Sequence, residues 1–525
     1  MDFTTSPSLV VSDPNRTDIA CLVGFVTRRA TPVPDTVKTW LREHDWSPAN
    51  GGEALLDVPI PIDTWELFDY LFAWERRAAK QAVAFTTYLG AAVRSYFAQG
   101  GRKCYVVRVG DSWAYGDARK NRLEKLKLLL PGWDGKEILS PVDRTTWRGV
   151  GHLFGLSDVS FLCLPDLAEI VGADPRRATG KSNFIDTTDV VTAQFVECGT
   201  DETPTENDSS ARFYPAPRCG TAEYEDWARA MQYTTRLLAQ PTHKLREIQF
   251  VAAAPIPQTV PITTLSVPEP EQDLMSILDT EKLLASQVDE AGCASAFLQL
   301  AYPWVRTRGS QQLPEQLESP DAVLTGLLAR SALTRGAFQN AAGSHLGDVY
   351  ALHPIVPRAQ MIGAPATPRK PQQRPLLERV SLFGPTPGGL KLLSDVTTSR
   401  DESYRPANVN RLVSLLVRAA RRLGEELVFE PSGEALWEQF RQGLTSLMLT
   451  LWQEGALRGE APEDAFQVRC DHSTMTQNDL DNGRVVAFIQ LEATLPIERI
   501  TVVLAMNEGG QVAHLANRLA RKEAA

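Results

Sequence analysis

No uninterrupted apolar stretch in this chain of 525 residues approaches the ~20 residues that a membrane-crossing helix needs. The longest, such as residues 126–130 and 159–164, are far shorter, and the opening Met1, Asp2 and Phe3 carry no basic, apolar leader pattern. A soluble protein made in the cytoplasm, with no direct membrane insertion, is therefore expected. Cysteine is sparse: Cys21, Cys104, Cys163, Cys198, Cys219, Cys293 and Cys470 are odd in number, dispersed and mostly set in apolar runs, with no CxxC among them. That argues for buried thiols, against a disulfide framework, and against a cysteine metal cluster. Positive charge is also short, with 54 Lys and Arg against 64 Asp and Glu and a net charge of -10. A general nucleic-acid binder draws on concentrated cations to displace phosphate counterions, so nucleic acid is not an expected partner.

Catalytic signatures are incomplete wherever they begin. Thr179, Gly180, Lys181 and Ser182 resemble the end of a phosphate-binding loop, but the position that needs a flexible glycine holds Pro175. Residues 149–155 (GVGHLFG) have their last glycine one place late for a dinucleotide loop, and tight packing explains them better. Asp471, His472 and Ser473 bring triad residue types together in sequence, yet sequence neighbours rarely converge on one reacting atom, so a turn is expected. Asp479, Asp481 and Gly483 lack the closing Glu of a calcium loop. No GxSxG or HExxH occurs, the seven histidines are scattered, and no repeat of fixed period is visible. No catalytic residue, cofactor or metal ligand is assigned.

What the sequence does hold is 43% hydrophobic residues, enough to build two to four packing units. Residues 1–18 are polar and turn-rich apart from the short apolar run Leu9, Val10 and Val11, which reads as an arm. Residues 19–27 form a strand candidate apolar enough to be buried on both faces. Residues 64–97 then read as mostly helical, with Trp65, Phe68, Leu71 and Phe72 at helical spacing, and Gly100 and Gly101 stop them. A second buried strand over 103–109 completes a β-α-β order that predicts parallel strands, with a third over 159–164. Acidic residues 200–210 and the proline-rich segments 255–270 and 354–375 have linker composition. After Asn408 the pattern predicts helices over 409–426 and 434–453, then strands near 466–469, 484–492 and 499–506. Leu436, Trp437, Phe440, Leu444, Leu447 and Leu451 make the core stripe of the second helix.

It is in this last unit that a family becomes recognisable. Val428 to Pro431, Ala435 to Trp437, Leu451 to Leu457, Ala465 and Phe466, Cys470 and Asp471, Thr474 to Gln477, and Asp481 to Arg484 follow in order. Together they resemble the C-terminal domain of phage tail sheath proteins and of sheaths in contractile injection systems. Residues 88–109, 159–167, 301–304 and 326–343 are similar to the same family in the same order, so the resemblance spans roughly 20–508. Two segments depart from it. The family's proline-glycine-tyrosine opening is missing from residues 1–18, and residues 493–500 (ATLPIERI) differ from the usual proline-alanine-glutamate-phenylalanine form.

The resemblance implies a mixed α/β and α+β, multi-domain tail-sheath fold: an arm over 1–18, a central α/β core from 19–110 and 376–508, an outer region over 111–375, and a tail over 509–525. It implies a subunit that polymerises around an inner tube protein as a ring-stacked homo-oligomer, sixfold in symmetry, with baseplate and cap proteins at its ends, first in the cytoplasm and then as part of a tail-like particle. A non-contracting adaptor or cap at a tube end shares nearly all these motifs, and an α/β enzyme is the third alternative. Two sets of residues are candidates for assembly. Leu9, Val10 and Val11, with Thr501, Val502, Val503 and Leu504, are strands that either leave to complete a neighbour's sheet or pair within their own chain. Arg411, Arg418 and Arg422 fall on one helix face, opposite Leu412, Leu416 and Leu423, as a cationic stripe that faces either an acidic tube or solvent.

Overall fold

The computed structural model describes residues 16–46, 53–77, 85–175, 210–258, 293–362, 375–427, 433–481, 484–493, 500–507 and 511–514, the last two stretches by their backbone. Its largest element is a sheet of eight strands. In chain order these are β1 (Ala20–Phe25), β2 (Pro59–Ile62), β3 (Cys104–Gly110), β4 (Phe161–Cys163), β5 (Gln249–Ala253), β6 (Leu298–Tyr302), β7 (Ser381–Thr386) and β8 (Gly389–Leu392). They lie side by side in the order β8-β7-β6-β5-β4-β1-β3-β2. The six inner strands run parallel, and β2 and β8 close the two sides antiparallel. Strands β1, β5 and β6 are buried along their whole length, as covered parallel strands must be, and β1 is accordingly a continuous apolar run with little alternation.

Helices α1 (Tyr88–Ala98), α2 (Arg119–Leu129), α3 (Thr221–Ala239) and α4 (Asp321–Arg335) supply much of the cover. Helices α1 and α4 cross closely, where a β-carbon on Gly326 would meet the Tyr96 carbonyl oxygen at 2.5 Å, so only glycine fits. The mixed α/β fold with a parallel sheet is the one expected. Residues 111–375, expected as an outer region, contribute β4, β5 and β6 to the middle of this sheet. Their short apolar runs, set between charged and proline-rich segments, hide that placement in the sequence. Residues 149–155 form a buried 3-10 turn in which a β-carbon on Gly149 would meet the Leu128 carbonyl oxygen at 2.4 Å; tight packing is the reason for that glycine.

A second unit follows. Helices α5 (Ala407–Glu426) and α6 (Glu434–Gln453) pack on an antiparallel sheet of β9 (Phe466–Arg469), β10 (Val485–Leu491), β11 (Ile500–Asn507) and β12 (Gln511–His514), in that spatial order. Leu436, Trp437, Phe440, Leu444 and Leu451 are buried in its core with Leu416 and Ile489, and Leu447 packs half-buried against it. Asp471, His472 and Ser473 form the expected turn: the Ser473 amide and hydroxyl both donate to Asp471 Oδ1, at 2.7 and 2.5 Å.

The large core holds acids whose ionisation is a lever on stability. Glu318, just before α4, is 1% exposed and accepts from Thr307 Oγ1 at 2.6 Å. Burial, reinforced by Asp321 and Asp348, pushes its pKa from 4.5 up to about 8. Because the folded value lies above the unfolded one, the neutral acid's contribution is full below about pH 4.5 and is lost as pH rises through 8. Asp166 and Asp321, pushed up by burial to about 7 and about 6, act in the same direction over lower windows. Glu318→Gln is therefore expected to flatten the fall in stability between pH 5 and 8, an effect on the order of 2–4 kcal/mol, while changing little at pH 5. Urea midpoints measured across that range check it; parallel wild-type and variant curves would refute it.

Candidate assembly interface

A doubly wound sheet places ligands at the carboxyl ends of its strands where the strand order reverses. Here that point lies between β1 and β4, because the chain passes from β1 to β3 on one side and then to β4 on the other. The crevice is filled from within. Asp166, directly after β4, accepts the Phe25 backbone N–H at 2.7 Å, and its carboxylate sits where a side chain on Gly24 would have to go. Arg77 and Glu169 beside it form a buried ion pair at 2.6 Å. The most common ligand position of this architecture is thus used for internal packing. Among the described residues no group of His, Cys, Asp and Glu could hold a metal ion, and no helix is long and apolar enough to cross a membrane. Residues 179–182 lie outside the described residues.

The busiest polar region is the joint between the two units, built on α5. Arg411 makes a two-pronged ion pair with Asp395, Nη2 to Oδ2 at 2.6 Å and Nη1 to Oδ1 at 3.1 Å, with neither side chain more than 6% exposed. It also donates to the carbonyls of Ala337 and Gln339. Asp395 further accepts from Gln299 Nε2 at 2.9 Å and the Ala341 amide at 2.8 Å. Burial alone would push this carboxyl up, but Arg411 and the other donors outweigh burial and hold it below the usual carboxylate range. Two turns on, Arg418 donates to the backbone carbonyls of Arg16, Asp158 and Val159, and burial lowers its pKa. Arg421 pairs with Glu247 and the Lys244 carbonyl.

This overturns the expected cationic stripe. Arg411 and Arg418 point into the protein and tie α5 to the large sheet, and neither presents charge to a tube. Arg422 is half-buried, with its Nη1 shielded from solvent. The reason is that α5 is covered on both sides. Leu412 and Leu416 lie in the second unit's core with Leu423 half-buried against it, while the arginines reach the polar ends of strands and loops on the other side. Helical spacing placed the three on one face correctly, but spacing is silent on what that face meets.

The strand candidates have a different outcome. Leu9, Val10 and Val11 lie outside the described residues. Thr501, Val502, Val503 and Leu504 lie in β11 and are register partners of Gln490, Ile489, Phe488 and Ala487 in β10 of the same chain. They are paired at home here, as a single chain satisfies a strand from its own nearest edge.

Where a foreign strand could add is set by the sheet edges. In the large sheet, β2 carries Pro59 and Pro61, which have no N–H to offer, a common way of blunting an edge. The β8 edge is covered by residues 343–346, through Gly343 N to Leu392 O at 2.7 Å, Leu392 N to Ser344 O at 3.0 Å and Leu346 N to Leu390 O at 3.1 Å. In the second sheet, by contrast, no strand among the described residues pairs with the outer side of β9 or β12. No sequence feature marked this contrast except the prolines of β2.

No protein-family model and no curated protein matches the sequence. Solved structures do match by fold. A chain of the anti-feeding prophage baseplate, 6-fold symmetrised, superposes with a TM-score of 0.54 at 17% identity, over 92% of this chain and 91% of that one. A chain of the anti-feeding prophage helical sheath in the contracted state gives 0.52 at 16%, over 95% and 98%. A chain of the same particle's baseplate in the contracted state gives 0.54 at 16%, over 95% of each. The fold implied by the sequence resemblance is the fold of this chain.

Proposed function

We propose that the protein is a structural sheath subunit of a contractile, phage-tail-like injection machine. The observation that carries this reading is the match in fold over nearly the whole length of a helical-sheath chain. Subunits polymerise around an inner tube, with copies of the same chain as principal partners in stacked rings of six and with baseplate and cap proteins at the ends. A strand from one copy pairs into the second sheet of another, the run Leu9 to Val11 at an open edge or β11 in place of the partner's own, and such head-to-tail contacts generate rings and open helices. Within each subunit the buried Arg411–Asp395 pair makes the large core and the second unit move together. Contraction is then a rotation of rigid subunits about strand links that hold, driven by free energy stored at assembly. The filled crevice at the switch point favours this over the enzyme alternative.

A second reading has its own support: two of the three matches described above are baseplate chains. A sheath-derived adaptor or cap would bind one end of the tube and not contract. Electron microscopy of the purified full-length protein with its tube partner separates the two. Long, striated tubes are expected for a sheath and isolated rings for an adaptor. A monomer that stays dispersed at high concentration with tube present would refute both.

A further inference from the structure

Beneath α5, where it crosses the starts of β4 and β5, lies a small cavity. Thr17, Ser160, Glu247, Gln249 and Arg418 are among its lining residues. Four of these carry a buried polar atom that meets no partner in the protein: Ser160 Oγ, Glu247 Oε2, Gln249 Oε1 and Arg418 Nε. All four residues are less than a tenth exposed. A buried polar group without a partner is costly, and four around one small space are unusual in a folded protein.

Their chemistry selects the ligand. Arg418 Nε–H can only donate, and the Glu247 carboxylate oxygen accepts. The orientation of Gln249 is fixed by a relay that begins at Asp395. This carboxylate, paired with Arg411, accepts from Gln299 Nε2, so the Gln299 amide oxygen faces Gln249 and accepts from Gln249 Nε2 at 2.9 Å. That leaves the oxygen of Gln249, a residue lining the cavity, as an acceptor without a partner. Ser160 can donate. The space therefore presents two donors and two acceptors, and has room for about one water molecule. An anion would meet the two acceptor oxygens, and a cation would meet the Arg418 guanidinium. Water alone accepts two hydrogen bonds and gives two.

The geometry points to a single integral water, accepting from Arg418 Nε and Ser160 Oγ and donating to Glu247 Oε2 and Gln249 Oε1. It joins three segments that meet at this joint: the leads into β4 and β5, and α5 itself. Arg418 also holds the Arg16 carbonyl, so the same water steadies the root from which residues 1–15 depart.

The test is a map of the full chain, by crystallography or electron cryomicroscopy, at a resolution that resolves ordered water. One peak within hydrogen-bond reach of all four atoms is expected, with no anomalous signal after bromide or manganese soaking. An empty cavity, direct pairing among the four side chains, or an anomalous ion there would overturn the assignment. Ser160→Val and Ser160→Ala give an independent readout by thermal unfolding. If a water is bound, the valine methyls expel it and strand the other three groups, so Ser160→Val melts below Ser160→Ala. If the cavity is dry, the added methyl fills a void and Ser160→Val melts above Ser160→Ala, which would refute the water.

Discussion

Asp395→Leu is expected to destabilise the chain by about 3–5 kcal/mol, because it leaves the Arg411 guanidinium charged, buried and without its counter-ion. The carboxylate is fully enclosed and serves four donor groups at once: both prongs of Arg411, Gln299 and the Ala341 amide. Leucine is close in size, so the loss is electrostatic and comes with little cavity. Arg411→Met should cost a similar amount for the converse reason, leaving the carboxylate without a cation. The double change Asp395→Leu with Arg411→Met removes both charges and should recover most of either loss, since an ion pair replaced by apolar groups of like volume is often neutral. Urea unfolding followed by tryptophan fluorescence measures all three, and the cycle gives the coupling between the two sites. Single changes below about 1 kcal/mol would mean that the pair is hydrated and that α5 is held by its apolar face alone.

That prediction marks the limit of what the sequence discloses. The second unit is legible in the sequence apart from β12, which lies in residues 509–525, expected as a tail, and pairs instead with β11. Helix 434–453 and strand 466–469 stand where expected, and the other two strands shift by about a residue, because amphipathic periodicity and a turn-bounded alternation are local signals. The large sheet was legible only where the sequence is continuously apolar, as around β1, β3 and the short β4. Strand β2 is a Pro-Ile-Pro-Ile run, and prolines argue against a strand unless it is known to lie on an edge. Strand β5 opens on Gln249 and β6 carries Gln299, and those two amides bond each other across the sheet. In sequence they read as interruptions. Arg411 and Arg418 failed for a deeper reason: a buried arginine bonded to backbone carbonyls or a carboxylate looks, in one dimension, like an exposed one. Its partners lie far away in the chain, as Arg16 does from Arg418.

In assembled particles, the double variant Ala487→Cys with Leu504→Cys is expected to give a ladder of covalent multimers on oxidation, while the unassembled protein gives an intrachain bond and runs as a monomer. These positions are directly opposed in the β10–β11 register, and cross-strand pairs at this spacing accept a disulfide. Strand exchange keeps that register intact. β10 gains the same ladder from a neighbour's β11 as from its own, so the two states differ only in which chain supplies the strand and in the path of the connection. Glu492 and Ala493 are tied to Ala465 and Leu457, which leaves residues 494–499, including Pro496, to make the link. Six extended residues reach about 20 Å, enough to pass a strand to a sheet lying alongside. A second pair, Val468→Cys with Ile489→Cys, lies in the β9–β10 register and serves as the control that should remain intrachain in every state. The six cysteines among the described residues are buried, so they compete little for the oxidant. Deleting residues 1–15 should likewise stop polymer growth without lowering the melting temperature, because Arg418 grips the chain at Arg16, beyond the cut. Tubes that form normally from the shortened protein, or assembled tubes whose engineered disulfides are all intrachain, would mean that each end stays with its own subunit and that the lattice is held by side-chain contacts alone.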